Sequence, residues 1–315
     1  MTAYTKRLQK VTAVLCTTAL LAGCAAGTSD NTEPAATTAQ VKTITIEPTA
    51  AYQTMNGFGA SACWWSQEVG NWENAKNILS LLYDENSGIG LNIYRYNLGA
   101  GSKDDATITD LDRRAEAFID KDGSYHWERD AAAQNALALA KSMNKDLRVT
   151  LFSNSAPVFY TVNGKAYCDY LPDDENYVTN LEPERYADFA KYSIACAKHF
   201  TEAGYRVTGL SPINEPEWSW RGYEDGTAKQ EGCYYSKTQC RDLYKVFLKQ
   251  MAQEDALKDC RLEGWESGHI GTDTCMAYLQ TMFGKSGVNG LKNNALRKGM
   301  PTLALHSYWA SPEEK

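Results

Sequence analysis

The sequence predicts an α/β protein of the (β/α)8 TIM-barrel class. Three observations predict it. Short β-branched or apolar runs alternate with longer stretches whose apolar residues recur at helical spacing, the pattern of parallel strands joined by helical crossovers. Polar and aromatic residues gather just after successive strands, where a barrel assembles its site. The competing open doubly wound sheet lacks its glycine-rich turn. Gly99-Ala100-Gly101-Ser102-Lys103-Asp104 has no third glycine, and no G-x-x-x-x-G-K-[ST] occurs, so these glycines are loop punctuation.

The elements follow in order. Thr43 to Ile46 alternates and is β-branched, a short strand ahead of the barrel. The first barrel strand lies around Gly57-Phe58-Gly59, and Leu91 to Tyr96 is the second. Asp130 is the expected N-cap of a helix over Ala131 to Met143, and Leu147 to Phe152 is the third strand. Tyr186, Phe189, Ala190, Ala197 and Phe200 are spaced for a helix over Glu184 to Ala203, which Gly204 stops. Val207 to Ile213 is the fourth strand. Ser236-Lys237-Thr238-Gln239 has the form of a capping box and opens a helix carrying Leu243, Val246, Phe247 and Met251. Arg261 to Trp265 and Thr302 to His306 are the fifth and sixth strands. A closed barrel has eight strands and roughly 250 residues. Residues 41–315 are therefore expected to be an incomplete barrel, truncated after its sixth strand, from a longer protein.

Composition narrows the function. The 315 residues are 43% hydrophobic and 23% charged, which excludes collagen-like, disordered and coiled-coil chains. The net charge is −7. Without residues 1–23, which hold Lys6, Arg7 and Lys10 and no acid, 29 bases face 39 acids. Such a surface argues against nucleic acid as a partner. The 8 Trp and 19 Tyr are a first hint of a groove that contacts sugar or peptide.

The N-terminus is read as an address. A basic n-region precedes the apolar stretch Val11 to Ala22, too short for the roughly 20 residues that span a bilayer. Leu21-Ala22-Gly23-Cys24 resembles a bacterial lipobox. The expectation is a lipoprotein signal peptide over 1–23, lipid on Cys24, and an extracytoplasmic, surface- or membrane-anchored protein; a plain secretory leader is the alternative. Residues 24–40, mostly Ala, Thr, Ser, Asn and Pro, read as a flexible tether. The membrane would be met only through that anchor, and monomer is the default. Seven further cysteines, an odd number widely spaced, exclude a dense disulfide framework and leave room for one or two bridges. No C-x-x-C or H-E-x-x-H occurs. His269, three residues after Glu266, is a weak metal hint, and Asp173-Asp174-Glu175 reads as a solvated loop. No metal or cofactor is expected.

The strongest local signal is Gly209-Leu210-Ser211-Pro212-Ile213-Asn214-Glu215-Pro216. A glutamate at the end of a buried apolar strand must be solvated by partners or by a ligand. Partial burial is expected to raise its pKa, which suits a general acid near neutral pH. Other residues that follow strands are Trp64 and Trp65, Asn97, Asn154 and Ser155, Glu266, and His306 with Tyr308 and Trp309.

Taken in order, these motifs resemble glycoside hydrolase family 30. Met55-Asn56-Gly57-Phe58-Gly59-Ala60-Ser61 is similar to the family's first strand and Tyr94-Arg95-Tyr96-Asn97-Leu98-Gly99 to its second. Phe152-Ser153-Asn154-Ser155-Ala156-Pro157 is similar to its third, although many members have Pro where Ala156 stands. Asn214-Glu215-Pro216 is similar to the acid/base motif after the fourth strand, and His306-Ser307-Tyr308 to the sixth. Gln230-Glu231-Gly232-Cys233 resembles a stretch of the endo-β-1,6-galactanase branch. The likeness runs from about Val41 to the end.

The resemblance implies a retaining hydrolase of β-linked polysaccharide, with β-1,6-galactan favoured. Glu215 would be the acid/base, some 5 Å from a nucleophilic glutamate. In the family that nucleophile follows the seventh strand, which this sequence lacks. Glu263 and Glu266 are not assigned that role, because the family places only a substrate-contacting or structural residue on the fifth strand. By the same resemblance Arg95 would pair with the nucleophile and Asn214 would hydrogen-bond the sugar 2-hydroxyl. Asn154 and His306 would line the pocket, and Tyr308 would reach the nucleophile or the sugar. Trp64, Trp65 and Trp218 are candidates to stack on sugar faces. The strand Thr43 to Ile46 would join an accessory β-sandwich. The rivals are a non-catalytic surface glycan-binding lipoprotein and another clan member, such as a xylanase or β-1,6-glucanase.

Overall fold

The computed structural model describes residues 45, 47, 49, 51–172, 176–284 and 295–311. The leader, Cys24, the tether, three residues of the strand Thr43 to Ile46 and the Asp173-Asp174-Glu175 loop lie outside them. The chain divides into two units between Thr54 and Met55. In the first, the Thr49 hydroxyl and amide both donate to Glu47 Oε1.

The second unit is a single parallel sheet of six strands in chain order, wrapped by helices. Its elements are β1 (Gly59–Ser61), α1 (Ser66–Val69), α2 (Ala75–Tyr83), β2 (Ile93–Asn97), α3 (Ala131–Met143), β3 (Arg148–Phe152), α4 (Tyr186–Glu202), β4 (Arg206–Ser211), α5 (Lys237–Met251), β5 (Arg261–Ser267), α6 (Asp273–Phe283), α7 (Ala295–Gly299) and β6 (Thr302–Leu305). Each strand pairs with the next, as in Tyr94↔Val149, Leu151↔Leu210, Leu210↔Leu262 and Gly264↔Leu303. These are six of the eight strands of a (β/α)8 barrel, as the sequence predicts. Among the described residues nothing joins β6 back to β1.

Strand alternation divides the sheet into two faces. Tyr94, Tyr96, Val149 and Leu151 are fully buried in the layer shared with the helices. Tyr83 packs 5.6 Å from Tyr94, and Phe200 packs 5.0 Å from Tyr96, measured between ring centroids. Their neighbours Ile93, Arg95, Thr150 and Phe152 line the inside of the barrel, a cavity of about 1500 Å³. Glu263 and Glu266 both line it although they are three residues apart. The pairing of β5 with β6 shifts between Trp265 and Ser267, and this puts the second glutamate on the inner face.

Helix ends follow the sequence in most places. The capping box forms: the Ser236 hydroxyl accepts from the Gln239 amide, and the Gln239 side chain accepts from the Ser236 amide. Gly204, at φ 88°, ends α4. Asp130 is a correction. It adopts a left-handed backbone (φ 52°) and caps nothing; its buried carboxyl instead accepts from the Tyr96 hydroxyl at 2.6 Å. The demand of a buried tyrosine hydroxyl for a partner outweighs the gain of an exposed cap. Helices α1, α2, α6 and α7 are not among the elements read from the sequence, although α2 is amphipathic, with Ala75, Leu79 and Tyr83 buried on one face. All seven described cysteines are free thiols.

The capping box gives a direct test of local stability. Ser236→Ala should cost about 1 kcal/mol, read as a lower denaturant midpoint with an unchanged slope.

Candidate active site

Four strand ends supply the site. Arg95 is on β2, Asn214 and Glu215 follow β4, Glu266 is on β5, and His306 follows β6. The His306 imidazole stands between the two glutamates. Its Nδ1 is 2.7 Å from Glu215 Oε1 and its Nε2 is 3.0 Å from Glu266 Oε2. Arg95 forms an ion pair with the same Glu266 oxygen and donates to Asn214 Oδ1 at 3.0 Å and to Ser61 Oγ at 3.1 Å. Its guanidinium lies over the Phe152 ring, 3.2 Å from the centroid. The Glu215 amide donates to the Glu266 carbonyl at 2.9 Å, so the backbones of the two strand ends are also tied.

The charges follow from these contacts. Burial works against ionised Glu266, but Arg95 and hydrogen bonds from His306 and Ser211 outweigh it and hold the carboxyl below the ordinary range. Burial also works against protonated His306. Hydrogen bonds to Glu215 and Glu266 outweigh it in turn and push the imidazole up to about 9. At neutral pH His306 is therefore an imidazolium that donates to the Glu266 carboxylate, with its Nδ1 turned to Glu215 Oε1. Glu263, deeper in the barrel, is pushed up to about 7 by burial and by the charge of Glu266.

Glu215 and Glu266 both sit in the left-handed region, at φ 47° and 56°. Such a backbone costs on the order of 1–3 kcal/mol per residue and persists where surrounding contacts fix it, often at functional sites. The two carboxylates differ in what is left free. Glu266 is 3% exposed, and Arg95 and His306 both reach its Oε2. Glu215 has Oε1 on His306, and its second oxygen meets no donor among the described residues. A carboxyl so placed can exchange a proton with a bound molecule, whereas the charge of Glu266 is held by Arg95 and His306.

Of the predicted residues, the structure brings together Trp64, Arg95, Asn154, Asn214, Glu215, His306 and Tyr308 around one cavity. Asn154 donates to Asn97 Oδ1 at 3.1 Å, and Trp64 has the Arg113 guanidinium over its ring at 6.0 Å. Tyr308 stands edge-on to His306, 5.1 Å between ring centroids. Trp218 lies beside Glu215 in an adjoining pocket. Trp65 is a correction. Its indole N–H donates to the Ser61 carbonyl at 2.8 Å and its ring packs toward Tyr94 against the core, so it lies outside the cavity. The charge partner of Arg95 in this structure is Glu266. The sequence reading missed how Glu266 gathers Arg95 and His306. It also missed Trp220, whose indole N–H donates to the Glu215 carbonyl at 2.7 Å. The only sequence signal for Trp220 was its closeness to Asn214-Glu215. Among the described residues no cluster of His, Cys, Asp and Glu is arranged to hold a metal ion.

The His306 bridge makes stability depend on pH. The imidazole titrates near 9 in the fold and near 6.5 when unfolded. Its contribution is complete below about pH 6.5 and is lost as pH rises through 9. Glu263, raised from 4.5 to about 7, adds an earlier decline. Thermal melts should therefore show Tm falling between pH 7 and 9, and His306→Phe should flatten that fall; a wild-type Tm level over this window would contradict the bridge.

Comparison with known proteins agrees with this geometry. A family model described as O-glycosyl hydrolase family 30 matches residues 41–272. An endo-β-1,6-galactanase of Hypocrea rufa is 30% identical over 219 residues, covering 61% of this chain and 43% of that protein. An exo-β-1,6-galactobiohydrolase of Bifidobacterium longum subsp. longum is 27% identical over 241 residues, covering 57% of this chain and 15% of that protein. The chain thus spans less than half the length of these curated relatives. A solved structure of a conserved exported protein from Bacteroides fragilis superposes with a TM-score of 0.69 at 25% identity, covering 84% of this chain and 55% of that one. With the family match spanning most of its length and the barrel strands in the matching order, the chain belongs to glycoside hydrolase family 30.

Proposed function

We propose that the full-length protein is a retaining glycosidase of β-linked galactan, with β-1,6-galactan as the favoured substrate and Glu215 as its acid/base. The observation that carries this reading is the isolation of Glu215. Its backbone is strained, one oxygen is held by His306, and the other is free beside an aromatic-walled cavity. Glu215 first gives a proton to the departing glycosidic oxygen and then takes one from the water that releases the bound sugar. The two relatives named for β-1,6-galactan support the substrate.

The attacking carboxylate comes from outside these 315 residues, at the end of a seventh strand. Glu266 holds Arg95 and His306 in place instead. Arg95 also fixes Asn214 through its Oδ1, which leaves the Asn214 amide N–H₂ to donate to a sugar hydroxyl. Trp64 and Trp218 offer faces for sugar C–H groups, and Asn154 and Tyr308 complete the wall. The basic, then apolar, leader ending at Cys24 supports a lipid-anchored enzyme outside the cytoplasm.

The test is hydrolysis of β-1,6-galactan by the full-length protein, followed as released reducing ends, with proton NMR of the first product. The expected product keeps the β configuration, and Glu215→Gln lowers kcat by about 10²–10⁴-fold. Equal activity of wild type and variant, or an inverted first product, overturns the assignment.

A further inference from the structure

Two cavities meet at Glu215. The larger one holds Arg95, Asn214 and Glu266. The smaller, of about 370 Å³, holds Glu215 but none of those three; Trp218, Trp220, Tyr223, Tyr308 and Trp309 form its walls. An acid that protonates the departing oxygen must stand at the boundary between the sugar that keeps its anomeric carbon and the group that leaves. The residues that grip the first sugar line the larger cavity, so the smaller one lies on the side of the leaving group.

What shapes this smaller pocket is the Gln230-Glu231-Gly232-Cys233 segment, for which the acid/base reading has no use. Gly232 lies flat beneath Trp220. A Cβ there would sit 2.3 Å from the indole ring, so only glycine lets the ring settle where its N–H reaches the Glu215 carbonyl. Gln230 lines both cavities and accepts from Arg113, whose guanidinium faces Trp64. Glu231 is fully buried and anchors the segment. It accepts from the Ala100 amide at 3.1 Å and from the Ser102 hydroxyl at 2.6 Å, tying it to the loop after β2. The Gly232 amide donates to the Ala166 carbonyl at 2.8 Å.

We propose that Gln230–Cys233 is the specificity element of this enzyme: by seating Trp220 beneath Glu215 it builds, with Trp218, a subsite for the sugar unit of the leaving group. Aromatic faces suit the C–H side of a pyranose ring, and the amide of Gln230 and the ammonium of Lys229 at the rim suit its hydroxyls. The ligand class is a neutral hexose, joined through the oxygen that Glu215 protonates. The inference rests on the glycosidase reading and adds to it what the enzyme requires of the departing half of the substrate.

The test compares two substrates that share one glycone and need equal help from the acid: β-1,6-galactotriose and an alkyl β-1,6-galactobioside. Both leave as alcohols, and only the first places a sugar in the pocket. For the full-length wild type, kcat/KM is expected to favour the triose by at least tenfold. Trp218→Ala, at a residue already 43% exposed, should bring that ratio near one, and Gly232→Ala should do the same by displacing Trp220. Damage to the acid or to folding would lower both rates together and leave the ratio alone. A ratio unchanged in both variants overturns the proposal. If the wild type cleaves neither compound, the glycosidase reading fails. Galactobiose binding, followed by tryptophan fluorescence, then decides about the pocket. Binding weakened about tenfold in Trp218→Ala upholds it, and equal or absent binding in both proteins overturns it.

Discussion

A buried negative charge organises this end of the barrel. Glu266 is 3% exposed, and an ionised carboxylate at that depth persists only if cations and donors surround it. Arg95 from β2 and His306 from the end of β6 meet that demand from two sides, and Ser211 of β4 adds a hydroxyl. The carboxylate thus ties three strands to the end of β5. The same contacts decide what else stands there. Arg95, held by Glu266, turns Asn214. His306, held by Glu266, fixes Glu215. Glu215 is positioned by way of a more deeply buried acid whose charge two cations hold.

The two left-handed glutamates fit this view. A non-glycine residue at positive φ is costly, and two neighbouring strand ends share that cost. The hydrogen bond from the Glu215 amide to the Glu266 carbonyl makes the two distortions one structure. The register shift after Trp265 belongs to it as well, since it brings Glu266 onto the inner face already used by Glu263. Trp265 is thereby left fully buried, packed toward Tyr278 of α6. One irregularity serves both the core and the site.

Crowded acids also shape the deeper cavity. Glu263 feels the charge of Glu266 and the loss of water, and its carboxyl rises to about 7. Its side chain lies over Gly209 of β4, where a Cβ would collide with the carboxyl carbon at 2.5 Å. The barrel interior is therefore graded. A half-neutral acid lies at depth, an ionised one at the strand ends, and a carboxyl with one free oxygen at the rim.

Much of this was legible in the sequence. Strand alternation gave the six strands in order, helical spacing gave the longer helices, and Ser236 with Gln239 gave a cap that forms as read. The place of Asn214 and Glu215 at the mouth of the cavity was readable because a polar pair closing an apolar strand must lie at its end. These are local signals, carried by neighbours in the chain. The fate of Asp130, the turning of Trp65 into the core and the seating of Trp220 on Gly232 were not readable, because each depends on a partner far along the chain. The same holds for the bridge, where Glu215 and His306 lie 91 residues apart and His306 and Glu266 lie 40 apart. The sequence by itself determined the strand order, the family likeness and the carboxyl at the end of β4, because periodicity and short motifs are written within a few residues. Only the tertiary structure decided which acid is locked and which is free, since that depends on which charges the barrel brings within hydrogen-bonding reach.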